Sequence, residues 1–319
     1  MFLGIEIGGT KLQIGVGAAD CGKLTDLQRA TVIPAAGAAG IRGQIERIAA
    51  PLIAQYGIRA IGFGFGGPVD RLGGRIVKSH HVEGWDGFPL VDWCRQTLGL
   101  PAALGNDSDM AGLGEAHFGA GRGRRVVFYT NVGSGIGGAL VVDGRVYGGS
   151  RGISSELGHV RPGPQAETPQ QIVELAASGW AIAAAARADA RLAAALQDEH
   201  HCSADRLTSK MVAASAAAGN ASALAIFRRA TQTYGWAIAQ MITLLAPEVV
   251  VIGGGVPLAG EAVFFAPLRQ EVDRYVFPPL RGTYQLAPAE LGEEVVVHGA
   301  LALARAQATE GSTAGLFIP

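Results

Sequence analysis

The chain has 319 residues, of which 49% are hydrophobic and 17% charged, so it can bury a large core in roughly two domains. Lys plus Arg number 26 against 27 Asp plus Glu, a net charge of −1, which gives no basic excess for a nucleic acid or an anionic membrane. Cys21, Cys94 and Cys202 are odd in number and far apart, so they make no disulfide framework and fit a reducing cytoplasm.

The opening MFLGIEIGG reaches Glu6 with no basic leader, so no signal peptide is expected. Residues 2–7 and 12–17 read as strands joined by the turn Gly8-Gly9-Thr10-Lys11. Residues 41–56 have helical periodicity, and 60–65 is a strand ending in Gly66-Gly67-Pro68. A short helix over 90–98, a strand over 102–105 and a helix from about 109 to 118 follow, with Asn106-Asp107 between the last two. The pattern then starts again: a strand over 126–131, a glycine turn at 133–138, a strand over 139–142 and a hairpin turn at Asp143-Gly144. Ala-rich helices are expected over 172–187, 206–218 and 220–245, and a buried strand over 249–252 ending in Gly253-Gly254-Gly255. The chain closes with a strand over 295–298 and a helix over 299–307 that packs back on the first half. The longest apolar segment, 236–246, is too short to span a bilayer. A strand, glycine turn, strand unit thus occurs twice, and two α/β halves with a cleft between them are the economical architecture.

Gly makes up 47 residues, grouped after apolar runs, which points to tight turns near a ligand. Glycine turns let backbone N–H groups cradle an anion, and two of them could hold the ends of a polyphosphate. Each turn alone is equally an ordinary hairpin; Lys11 and Ser134 beside the glycines favour phosphate, and no Walker A loop is present. Asp107 stands between a strand end and a helix start, where α/β ligands bind, or it caps the helix. Glu156, His159 and Glu174 supply groups that suit vicinal sugar hydroxyls; a lone histidine is as readily structural. The strand before Gly253 allows a nucleobase to lie on bare backbone, or is a plain strand-to-loop transition.

Together and in this order the segments resemble the ROK family of sugar kinases and sugar-responsive repressors, whose fold is the two-domain actin, hexokinase and Hsp70 type (ribonuclease H-like). The likeness runs through Glu6-Ile7-Gly8-Gly9-Thr10-Lys11, Gly64 to Asp70, Trp85 with Pro89-Leu90, and Asn106-Asp107 with Gly114-Glu115. It continues through Asn131 to Gly138, Glu156-Leu157-Gly158-His159, Glu174 with Ser178-Gly179, and Pro247 to Gly255. The resemblance implies a smaller domain, 1–118 with 297–319, and a larger one, 119–296. It implies transfer of the γ-phosphoryl of MgATP to a hexose, glucose foremost, with fructose, mannose or an N-acetylhexosamine as alternatives. Asp107 would be the base; Gly67, Asn106, Asp107, Glu156, His159 and Glu174 would hold the sugar. Gly8, Gly9, Thr10, Lys11, Gly133, Ser134 and Gly135 would hold phosphates, with Gly254 and Gly255 beside adenosine. A cytoplasmic homodimer or homotetramer is implied by the same analogy.

Two departures stand out. Glu6 replaces the usual aspartate, and would reach Mg²⁺ through water. The cysteine-rich zinc segment that follows the family's histidine is missing: 162–173 contains no Cys, and His159 alone cannot make a zinc site, so none is expected. What orders that loop instead is open, although Pro162, Pro164 and Pro169 would restrict its unfolded states. The reading of another class is a non-catalytic sugar-sensing protein; the family's repressors carry a DNA-binding segment ahead of the first phosphate turn, for which a strand starting at Phe2 leaves no room.

Overall fold

A computed structural model describes residues 1–79, 82–149, 153–162, 168 and 170–318. In chain order the strands and helices are β1 (Phe2–Ile7), β2 (Lys11–Gly17), β3 (Asp26–Thr31), α1 (Gly37–Tyr56), β4 (Ile61–Phe65), β5 (Val69–Asp70), β6 (Arg75–Ile76), α2 (Leu90–Leu98), β7 (Ala102–Asn106) and α3 (Asp107–Phe118). They continue as β8 (Val126–Val132), β9 (Ile136–Val142), β10 (Arg145–Tyr147), α4 (Glu174–Ala177), α5 (Gly179–Ala188), α6 (Ala190–His200), α7 (Ser209–Ala217) and α8 (Ala221–Leu245). Last come β11 (Val249–Gly253), a π-helical turn (Glu261–Phe265) that runs into α9 (Ala266–Tyr275), β12 (Gln285–Pro288), α10 (Val295–Glu310) and β13 (Phe317–Ile318). They form two compact α/β units: Met1–Tyr129, Ala139–Ser154 and Ala289–Pro319 in the first; Thr130–Gly138 and Ser155–Pro288 in the second. No single described helix is long and apolar enough to cross a membrane.

The first unit is built on a sheet in the order β3-β2-β1-β4-β7. β1, β4 and β7 run parallel, and Ile7, Phe65 and Asn106 lie in one row at their carboxyl ends. The strands alternate, but between large residues and glycine rather than between apolar and polar ones. Leu3, Ile5, Ile7, Leu12, Ile14, Val16 and Phe63 join Ile41, Ile45 and Leu52 of α1 in one buried cluster. The intervening positions, Gly4, Gly15, Gly62 and Gly64, receive α10. A Cβ on Gly4 would stand 2.5 Å from the Val297 carbonyl oxygen, one on Gly62 would strike the Ala300 carbonyl, and one on Gly64 the Val296 side chain. Lying inside the expected strands, these glycines let a helix backbone lie on a sheet backbone. α10 also crosses α3 at Gly114 and Gly299, where a Cβ on Gly299 would meet the Met110 carbonyl.

That contact corrects the expectation at 295–298. Val295, Val296, Val297 and His298 open α10, and every residue from Val295 to Ala304 is buried. A β-branched run buried on all sides reads like a core strand, and periodicity cannot separate the two.

In the second unit β11 and β12 pair in parallel. The expected helix over 172–187 is two helices, because Ser178 ends α4 and its hydroxyl caps α5 by accepting the Ala181 N–H at 3.2 Å. Asp189 caps α6 in the same way through the N–H groups of Arg191 and Leu192. The helix expected over 206–218 is confined to α7, capped by Thr208, and α8 starts after Asn220. The Tyr234 hydroxyl of α8 meets Thr130 Oγ1 at 2.8 Å, and Thr130 donates to the Gly137 carbonyl, which secures the turn between β8 and β9.

Gly62→Ala is expected to cost about 3 kcal/mol through overpacking, whereas Gly43→Ala, on an open face of α1, should gain about 0.5–1 kcal/mol; chemical denaturation of both variants checks the pair. Burial pushes the Cys94 thiol up to about 12, against a small opposing pull from Arg95. Thiol reagents should therefore label exposed Cys21 at neutral pH and leave Cys94 unmodified until the protein unfolds, which mass spectrometry of the labelled chain reads.

Candidate active site

The register of β1, β4 and β7 assembles the first half. The residues that follow the row Ile7, Phe65, Asn106 are Gly8, Gly66 and Asp107, and the Gly66 N–H donates to the Ile7 carbonyl at 3.0 Å. Asp107 Oδ2 lies 3.4 Å from where a Cβ of Gly66 would stand. The helix α3 begins two residues earlier than expected, at Asp107 itself, and the capping residue is Asn106. Asn106 Oδ1 accepts the N–H groups of Ser108 (2.9 Å) and Asp109 (3.3 Å), while its Nδ2 donates to the Gly67 carbonyl at 3.0 Å. One side chain therefore caps the helix and ties the Gly66-Gly67 loop to it. Asp107 stands at the first helical position, its Oδ1 accepting the Ser108 N–H at 2.8 Å.

The turn from Gly8 to Lys11 is closed by its own Gly8 N–H, which donates to the Lys11 carbonyl at 3.0 Å. Glu6 lies directly across the hairpin from Gln13. Gln13 is fully buried; its Nε2 donates to Glu6 Oε2 (2.6 Å) and to the Glu293 carbonyl (2.7 Å), and its Oε1 accepts Arg29 Nε (3.0 Å). Lys11 Nζ lies 3.6 Å from Glu6 Oε1 and donates to the same Glu293 carbonyl at 3.3 Å. Burial raises the Glu6 carboxyl above the usual carboxylate range, with Lys11 and Gln13 opposing it. The connection before α10 that carries Glu293 is itself held by Glu115. That carboxylate is fully buried and accepts the N–H groups of Ala120 (2.8 Å), Glu290 (3.0 Å) and Leu291 (2.9 Å).

The second half gathers at the ends of β8 and β11. The Gly133 N–H closes its own turn on the Gly135 carbonyl at 2.9 Å. The Val256 N–H donates to the Val132 carbonyl, and Gly254, at φ 94°, lies so close to Val132 that no Cβ could be accommodated. Gly254 and Gly255 are exposed, beyond the buried strand. The Gly179 N–H donates to the Gly133 carbonyl at 2.8 Å, which brings the capped start of α5 to the same turn. Glu174 Oε2 accepts the Ile136 N–H at 2.8 Å.

Glu156 and His159 stand together, with His159 Nδ1 3.5 Å from Glu156 Oε2. Half of the Glu156 side chain is exposed, yet the protein packed around its carboxyl raises it above the usual carboxylate range; His159 pulls it back and Glu174 adds to the rise. Around them the loop is fastened at its ends. The Val173 N–H donates to the Val160 carbonyl at 2.9 Å, and Gln171 Oε1 accepts the Thr168 N–H at 3.1 Å. Pro164 and Pro169, singled out from the sequence, lie outside the described residues. Among the described residues no three His, Cys, Asp or Glu side chains converge as metal ligands.

The sequence-predicted residues thus fall into two groups: Glu6, Gly8 to Lys11, Gly67, Asn106 and Asp107 in the first unit, and Gly133 to Gly135, Glu156, His159, Glu174, Gly254 and Gly255 in the second. Gln13 and Glu293 were missed. The hairpin register makes Gln13 the partner of Glu6 and is legible in the sequence; Glu293 acts through its carbonyl, which leaves no side-chain signal. A surface hollow elsewhere on the second unit is lined by Arg269, Asp273, Arg274, Arg281 and Tyr284, and Arg269 and Arg274 are already paired with Glu261 and Glu271.

The model of the ROK family matches residues 2–307. A glucokinase of Thermotoga maritima is 32% identical over 309 residues, 94% of this chain and 96% of that protein. The structure of a ROK family glucokinase from Streptomyces griseus in complex with glucose and AMPPNP has a TM-score of 0.81 at 30% identity, covering 95% of this chain and 99% of that one. The ROK hexokinase of Thermus thermophilus has a TM-score of 0.79 at 28% identity, covering 97% and 99%.

Asn106→Asp keeps an oxygen for the cap and loses the donor to Gly67, whereas Asn106→Ala loses both. Thermal melts should place both variants below wild type, the alanine variant by about 1–2 kcal/mol and the aspartate variant through a carboxylate oxygen set against the Gly67 carbonyl.

Proposed function

Because the chain belongs to the ROK family, we propose that it is an ATP-dependent hexose kinase of the cytoplasm that converts glucose to glucose 6-phosphate. The observation that carries the reading is the placement of Asp107. It stands at the carboxyl edge of three parallel strands and at the first position of α3, with Asn106 acting as the cap in its stead.

In this reading Asp107 accepts the proton of the attacking hydroxyl. An aspartate is a weak base, but phosphoryl transfer has a loose transition state and the hydroxyl gives up its proton late. Most of the acceleration comes from positioning and from stabilising charge. Asn106 and the Gly66-Gly67 loop, tied by a hydrogen bond, orient the sugar together with Glu156, His159 and Glu174. Gly9, Thr10 and Lys11 in one turn and Ser134 and Gly135 in the other supply phosphate contacts; the N–H groups of Gly8 and Gly133 shape those turns from within. Gly254 and Gly255 leave bare backbone for the adenosine.

The donor set suits Mg²⁺ held through water. Glu6 offers carboxylate oxygens that Gln13 and Lys11 engage only in part, and Mg²⁺ takes one carboxylate with phosphate oxygens and water. When bound, the ion would neutralise charge on the transferring phosphates. Gln13 and Lys11 keep the Glu6 carboxylate in one orientation.

A coupled assay over glucose, fructose, mannose and N-acetylglucosamine tests the proposal, with glucose expected to give the highest kcat/KM. Asp107→Ala should lower kcat by roughly 10²–10⁴ while glucose binding persists. Absence of sugar-stimulated ADP release from every sugar would replace the kinase with a sugar-sensing protein.

A further inference from the structure

Glu174 enters the functional reading as a sugar ligand, yet one of its carboxylate oxygens is engaged by the protein itself. It opens the single turn of α4, and its Oε2 accepts the Ile136 N–H at 2.8 Å. The same oxygen lies over the Gly135 backbone, 2.5 Å from where a Cβ would stand, so a side chain there would push the carboxylate aside. Five residues on, the Gly179 N–H donates to the Gly133 carbonyl at 2.8 Å, and the Trp180 N–H to the Ser134 carbonyl at 3.4 Å. A seven-residue segment, 174–180, therefore grips the glycine turn at residues 133, 134 and 136. The two backbone contacts come from the first turn of α5, which Ser178 caps. The third is the only one made by a side chain.

We infer that Glu174 is a positioning residue for the Gly133–Ile136 turn, and that it sets the affinity of that turn for nucleotide phosphates even when no sugar is bound. The inference rests on reading the turn as a nucleotide site. A glycine turn with its N–H groups free to reorient binds an anion poorly, because the ordering must then be supplied on binding. A carboxylate bond to a backbone N–H is among the stronger single hydrogen bonds, so one such bond suffices to order a turn of four residues. The carboxylate is at the same time a charge near incoming phosphates, which opposes their binding. The order it imposes and the repulsion it exerts are separable by substitution. Glutamine keeps the accepting oxygen without the charge, and alanine removes both.

Calorimetry with AMPPNP and no sugar is the direct test. Glu174→Ala should weaken binding roughly tenfold, and Glu174→Gln should bind at least as tightly as wild type. Wild-type affinity in the alanine variant, or an equal loss in both variants, overturns the inference. Hydrogen exchange of the peptide spanning residues 133–137 reads the tether without any nucleotide. Protection of the Ile136 amide should vanish in Glu174→Ala and survive in Glu174→Gln; unchanged exchange in the alanine variant overturns the inference as well. If the wild-type chain binds no AMPPNP, the nucleotide reading itself fails, and with it the affinity claim.

Discussion

A sheet face without side chains governs the first unit. Gly4, Gly15, Gly62 and Gly64 remove the layer that normally separates a helix from a sheet, and α10 lies against the strand backbone. At Gly4 and Gly62 the distance between them is set by main-chain atoms, which cannot rearrange as a core of side chains can. Glu6 and Gln13 lie on that face beyond the glycines of β1 and β2, and α3 crosses the same helix at Gly114 and Gly299. The two carboxylates assigned to the chemistry, Glu6 and Asp107, are therefore both referenced to one helix that comes from the far end of the sequence. Until residues 295–310 are synthesised, this face has no partner, and the first unit cannot complete its core.

The row formed by Ile7, Phe65 and Asn106 gives that rigid sheet a level carboxyl edge. Three parallel strands end level, so the three connections that leave them, Gly8, Gly66 and Asp107, emerge side by side. The division of labour at the last strand is chemical. An amide can accept two N–H groups and still donate to Gly67, which a carboxylate could not do. Asn106 therefore takes the structural duty, and Asp107 is not required for the cap.

Much of this was legible in the sequence, and the failures have physical causes. The strands at 2–7 and 60–65, the helix at 90–98 and the hairpin at Asp143-Gly144 follow from local turn chemistry and alternation, and the structure places them there, with positive φ at both hairpin residues. The row of site residues at strand ends followed from the same logic. The strand expected at 295–298 failed because burial on every side erases periodicity. The glycines of β1 and β4 lie inside strands that were expected, and the sequence does not say that a helix approaches them there. The break at Ser178 carried a capping residue that the Ala-rich composition masked, and α6, capped by Asp189, was not among the expected helices. Gln13 as the partner of Glu6 was readable from the hairpin register, whereas Glu293 reaches it through a contact 280 residues apart in the chain.

Glu115 shows what a signature motif can mean. It belongs to the Asn-Asp and Gly-Glu pairing by which the family is recognised, yet its carboxylate meets only backbone N–H groups of residues 120, 290 and 291 among its described hydrogen bonds. It is a rivet, and the fold needs it whether or not any phosphate is ever transferred. A descendant of this chain that had lost all chemistry would be under the same pressure to retain Glu115. Agreement at this position therefore speaks to ancestry and architecture alone. In the proposed reading the chemistry lies eight residues earlier, at Asp107, which the cap does not require.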